Sequence, residues 1–148
     1  MHAESLVIEG YASLFGVEDL VGDVVRAGAF ARSLGAGRSI GMLLNHGGRR
    51  LAGRWTRLRE DGRGLFVRGL VMAETPAGRA ALDLIGAGRL SGLSIGFMAR
   101  DWSPRVTRGR ELREIDLREI SLVAMPMLES ARFAIVGGPA ALAARRAA

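Results

Sequence analysis

The sequence of 148 residues contains no cysteine and no lysine. Without cysteine there are no disulfides, thiolate zinc sites, iron–sulfur clusters or cysteine nucleophiles. Histidine occurs twice, at His2 and His46, too few for a His-rich metal centre. Neither a metal nor a cofactor is therefore expected. Aromatic residues are scarce: five Phe, two Trp and one Tyr. No apolar run approaches the ~18 residues that suggest a membrane-spanning helix. The opening MHAESLVIEG lacks a basic region followed by an apolar stretch, so no signal peptide is read. These absences point to a cytoplasmic chain without membrane association.

Arginine supplies all 21 basic residues against 15 acidic ones, a net charge of +6. A basic balance invites a nucleic-acid reading. The composition argues against it. Ala, Gly and Arg dominate the chain, as a bias toward small residues and arginine would produce. The arginines spread from Arg26 to Arg146 with no stacking aromatics among them, so no specific nucleic-acid partner is expected.

The length suits one domain with a substantial core. Residues 1–137 are read as that domain and 138–148 as a short flexible or helical tail. Strand patterning is read over 5–15, a short VV pair at 24–25, 40–46, 51–58, 65–72, 93–102, 112–126 and 130–136. The EDGRG stretch marks a turn between the fourth and fifth of these. Thr75 and Pro76 signal a helix start and the glycines of 86–88 its end. A shorter helix is expected near 28–34. Strands that follow one another closely favour antiparallel pairing. The expected fold is α+β: a curled or closed, mainly antiparallel sheet with a few helices.

Three residues offer chemistry. His46 ends an apolar run and precedes Gly47-Gly48, a position that suits a proton shuttle or, equally, a hydrogen-bonded histidine at a strand end. Ser94 lies in GLSIG, which matches the G-x-S-x-G nucleophile elbow. The context excludes an elbow, because a helix precedes this serine, a strand follows it, and no histidine comes after it in the chain. What remains is a serine flanked on its own face by Gly92 and Gly96, where another backbone can approach. That backbone is either a substrate peptide or a neighbouring strand. Glu119 lies in DLREISLV. Strict alternation puts Leu117, Glu119, Ser121 and Val123 on one face, and Asp116, Arg118, Ile120 and Leu122 on the other. A carboxylate among such apolar neighbours needs a partner, either an imidazole or an arginine. A serine nucleophile requires an adjacent base, and that base a group to fix its tautomer. Backbone N–H groups would stabilise the oxyanion; their source is left open, the turn at 103–111, with Arg105, Arg108 and Arg110, being one candidate.

Five segments, in order, resemble the prohead (capsid-maturation) proteases of tailed bacteriophages, the HK97-type family. They are IEGYASLFGVEDLVGDVVRAGAF, LLNHGGRRLAGRW, RGLFVRGLV, LIGAGRLSGLSIGF and LREIDLREISLVAMPM. Gly47 follows His46 where relatives often carry Asp, and MLESARF, after Pro126, differs from the small, Asn-containing segment common there. The resemblance implies a β-barrel with flanking helices, similar to herpesvirus assembly proteases. It implies a serine endopeptidase with Ser94 as nucleophile, His46 as general base and Glu119 as third member. The implied substrates are scaffold, or the N-terminal scaffolding segment of the major capsid protein, and the enzyme itself. A dimer acting inside the procapsid, in a bacterial cytoplasm, is implied too. The setting is a phage, a prophage or a gene transfer agent. The alternative reading is a catalytically inactive, protease-like assembly module.

Overall fold

The computed structural model describes residues 4–138, so His2 and nearly all of the expected tail lie outside the described residues. Eight strands and two helices follow in the order β1 (Leu6–Leu14), β2 (Val24–Val25), α1 (Ala31–Gly35), β3 (Gly41–Leu44), β4 (Leu51–Glu60), β5 (Gly64–Val71), α2 (Pro76–Gly86), β6 (Gly92–Pro104), β7 (Arg110–Val123) and β8 (Phe133–Gly137). Local chemistry sets several boundaries. In the β4–β5 turn, Asp61 Oδ1 accepts from the backbone N–H of Arg63 at 2.8 Å and of Gly64 at 3.1 Å. Thr75 caps α2 by accepting from Gly78 N at 2.9 Å, with Pro76 in the first turn. Gly88, at φ +72°, turns the chain out of the helix. No described helix is long and apolar enough to cross a membrane.

All strands join one sheet, β2-β7-β3-β4-β5-β1-β8, with β6 paired to β7. Most ladders are antiparallel, as expected, but β2 and β3 both pair with β7 in parallel. Strands of two and four residues carry too little pattern to signal their direction. The expected closed barrel is also corrected. The ladders form an open path. β8 and the start of β6 meet at the single bridge Gly92–Arg132, flanked by Leu93 N to Ala131 O and Phe133 N to Ser91 O, each 2.9 Å. That bridge is antiparallel, so β8 runs on past the start of β6, and the residues that would face Ser94 lie in the turn before β8, outside any strand.

The core gathers Ile8, Phe30, Met42, Leu65, Leu93 and, from β7, Leu112, Ile115, Leu117, Ile120 and Leu122, all essentially solvent-free. The β7 spacing alternates between three and two residues instead of holding at two. Register shifts against β6 explain it: Arg118 is skipped between the pairs Gly96–Glu119 and Phe97–Leu117, and Arg113 between Asp101–Glu114 and Trp102–Leu112. Each bulge resets the phase of the strand. Strict alternation is thereby overturned. Leu117 joins Ile120 and Leu122 in the core, while Asp116, Glu119 and Ser121 share the outer face.

Candidate active site

Two neighbouring strands and the turn after a third carry the candidate residues. Ser94 on β6 stands directly opposite Ser121 on β7, and Gly96 opposite Glu119. On the other side of β7, Glu119 is level with Gly41 of β3 and Ser121 with Leu43. His46 follows β3 by two residues. Asn45 N donates to Leu122 O at 2.9 Å, His46 N to Ser121 Oγ at 3.0 Å, and Gly47 N back to Leu44 O at 2.9 Å. The chain makes this reversal with Asn45 at φ +50° and His46 at φ +57°, a left-handed conformation that costs a side-chain-bearing residue about 1–3 kcal/mol. The turn brings the imidazole over β7.

There, His46 Nδ1 is hydrogen-bonded to Glu119 Oε1. The second carboxylate oxygen accepts from Ser121 Oγ at 2.7 Å. With Nδ1 paired to a carboxylate, the proton of the neutral imidazole belongs on Nδ1 and Nε2 is left as the basic atom. The Glu119 side chain is 15% exposed and that of His46 44%, so the carboxylate is shielded while the ring reaches the surface. Gly96 makes room for this arrangement: a Cβ there would lie 2.3 Å from Glu119 Oε1.

Ser94 is buried, and it lines with His46 one pocket of about 230 Å³. The pocket opens where β6 has lost its second ladder, between Leu14 of β1, Leu93 and Ile95 of β6, and Met127. It also contains the Asp23–Arg110 ion pair, at 2.8 Å, and Asp19. Burial pushes the Asp19 carboxyl up, against the hydrogen bonds it accepts from Asp23 N and Val21 N. The arginines of the 103–111 turn are tied to this loop. Arg105 and Arg108 both reach Glu18 at 3.2 Å, and they donate to Gly22 O and Leu20 O respectively.

The structure thus brings His46 and Glu119 into contact and places Ser94 and His46 on one pocket. Asp116 lies on the same face as Glu119 but is held by Arg38 at 2.8 Å, Arg118 at 2.9 Å and Arg100 at 3.0 Å. The hydrogen bond from Arg100 leads the effects that hold its carboxyl below the usual range. Ser121 is the residue that sequence reasoning placed on the right face without a role. Its hydroxyl joins the Glu119 carboxylate to the His46 backbone, and the two-residue spacing from Glu119 was the only signal.

The profile of the caudovirus prohead serine protease family matches residues 1–140. The prohead protease of Enterobacteria phage HK97 is 39% identical over 135 residues, which cover 86% of this chain and 59% of that protein. The chain therefore spans about three-fifths of the length of this relative. Among solved structures, the capsid assembly protease of bacteriophage T4 superposes with a TM-score of 0.63 at 15% identity, over 79% of this chain and 80% of that one. The varicella-zoster virus protease gives 0.60 at 14% identity, over 89% and 64%. At such identities the likeness is one of fold, and it joins phage and herpesvirus enzymes to the same curled sheet. Matched by the family profile along nearly its whole length, this chain belongs to the caudovirus prohead serine proteases.

Proposed function

We propose that this chain is a serine endopeptidase of capsid maturation that works through Ser94, His46 and Glu119. The observation that carries the reading is the His46 Nδ1–Glu119 contact at the mouth of a pocket that Ser94 also lines. In the proposed reaction Ser94 Oγ attacks the scissile carbonyl carbon while His46 Nε2 takes its proton. The imidazolium that forms is stabilised by Glu119 and returns the proton to the leaving amine. Water then attacks the acyl-enzyme with His46 again as base. Ser121 keeps the carboxylate aimed, because its hydroxyl occupies the oxygen that the imidazole does not use. Backbone N–H groups beside Ser94 are the natural donors to the oxyanion.

Family membership supports a substrate among capsid proteins: scaffold, or the N-terminal scaffolding segment of the major capsid protein, and the chain itself. The place of action is the interior of the procapsid in the bacterial cytoplasm, and the active form a homodimer. Co-expression with the capsid protein encoded beside it tests the reading. The parent chain removes the N-terminal segment, Ser94→Ala leaves it attached, and Ser91→Ala processes normally. Normal processing by Ser94→Ala refutes the assignment.

A further inference from the structure

Every residue that falls out of register in the β6–β7 ladder is an arginine: Arg100 on β6, Arg113 and Arg118 on β7. A bulge re-aims the side chain of its extra residue. Two of these three, Arg100 and Arg118, land on the same carboxylate, Asp116, where Arg38 from the segment before β3 joins them. One arginine suffices to neutralise a buried aspartate. Here three cations surround one anion, which leaves a charge of +2. The neighbouring Arg32–Glu114 pair, at 3.5 Å, adds no net charge. Asp116 has an 8% exposed side chain, but Arg38, Arg100 and Arg118 remain 48%, 56% and 49% exposed. A guanidinium has five N–H donors. Each arginine is thus fixed to the buried carboxylate at one nitrogen while about half of its side chain stays open to solvent. Arg38, Arg100 and Asp116, with Arg32 and Glu114, line a hollow of about 220 Å³, and Arg118 stands outside that lining, sharing Asp116 Oδ2 with Arg100.

The position of the cluster points to its partner. Along the outer face of β6, Ser94 is followed by Gly96, by the exposed Met98 and then by Arg100. Six residues of extended chain span roughly 20 Å. We propose that Arg38, Arg100 and Arg118, held in place by Asp116, form a remote subsite for an acidic side chain of the polypeptide substrate, about six residues from the bond cut at Ser94. The proposal rests on the reading of Ser94 as nucleophile. A polypeptide is favoured over a nucleic acid because the cluster is a single compact spot in line with Ser94, whereas a phosphate backbone is followed by a continuous basic track.

The test uses fluorescein-labelled hexaglutamate and hexaglutamine, titrated by anisotropy against the Ser94→Ala chain at low salt. The expected result is measurable binding of hexaglutamate only. Two half-exposed ion pairs predict that Arg100→Gln/Arg118→Gln weakens it about fivefold to tenfold. Arg89→Gln, an exposed arginine in the segment that follows α2, leaves it unchanged. Arg38 still neutralises Asp116 in the double variant, and thermal melting checks that it is folded. Should it melt early, Arg100→Gln alone weakens binding about two- to threefold. Equal binding by all variants, or by both peptides, overturns the proposal. Tighter binding of a 12-residue oligothymidylate that depends on the same arginines overturns it too, in favour of nucleic acid. In the cleavage assay with the active chain, the double variant raises KM for the capsid segment and leaves kcat intact. If the parent chain cleaves nothing, the reading of Ser94 fails, while the peptide titration still decides the subsite.

Discussion

Gly96→Ala separates the chemistry of this site from its folding. Gly96 faces Glu119 across the β6–β7 ladder, and an added Cβ would stand 2.3 Å from Oε1, 2.8 Å from Cδ and 2.9 Å from Cγ. Ordinary contacts begin near 3.4 Å. The carboxylate must retreat by about 1 Å, a displacement that can cost on the order of a hundredfold in rate. The same figure follows from the bond that is lost. A hydrogen bond to a charged group contributes about 1.5–3 kcal/mol, or roughly 10- to 150-fold. Stability moves little, because the obstructed atoms belong to the end of a flexible side chain, and alanine in a strand is favoured over glycine by about 0.5–1 kcal/mol. The expected outcome is kcat/KM on the capsid segment reduced by one to two orders of magnitude at an unchanged unfolding midpoint. A double-mutant cycle sharpens the test. In Glu119→Ala the methyl group has nothing to displace, so Gly96→Ala/Glu119→Ala is no slower than Glu119→Ala alone. Full activity of Gly96→Ala in a stable protein would refute the coupling of Glu119 to His46, and additive losses in the cycle would refute its route through the carboxylate.

Two further expectations follow from the same contacts. Ser121→Ala removes the donor to Glu119 and leaves the His46 backbone N–H without its acceptor, so kcat falls about tenfold with KM nearly unchanged and stability drops by about 1–3 kcal/mol; a parent-like kcat contradicts the positioning role. Asp116 contributes stability that depends on pH. Its carboxyl is held below the unfolded value, so the native chain binds fewer protons than the unfolded one, and stability is present above the ordinary carboxylate range and is lost as pH falls through it toward the depressed native value. Denaturant midpoints measured from neutral to acidic pH decline for the parent and less steeply for Asp116→Asn; parallel declines contradict the assignment.

Much of the fold was legible because its signals are local. Thr75 and Pro76 mark a helix start by the cap they form within three residues, and Asp61 marks its turn by bonds to the next residues. Strand positions followed from apolar patterning, and His46, Ser94 and Glu119 stood out by residue type and neighbours. The family resemblance named the chemistry they would share. The phase of β7 was not legible. Strict alternation requires an unbroken ladder, and although the apolar residues of β7 are spaced three, two, three and two apart, only the pairing with β6 assigns that irregularity to skips at Arg113 and Arg118.

The sequence by itself determined the inventory: which segments form strands and helices, and which few side chains are the candidates for the proposed chemistry. Tertiary structure decided the relations among them. His46 and Glu119 lie 73 residues apart and meet because β3 pairs in parallel with β7, a pairing that no short-range pattern encodes. The open seam beside Ser94 exists because the residues that would face it form a turn before β8, which matters only once β8 and β6 lie in one sheet. Asp116 and Glu119 share a face because a bulge falls between them, and the choice of partner, imidazole for one and arginine for the other, is made by the strands and loops that pack alongside. Local propensity acts over a few residues, whereas contacts of long sequence separation form only when the whole core is buried together.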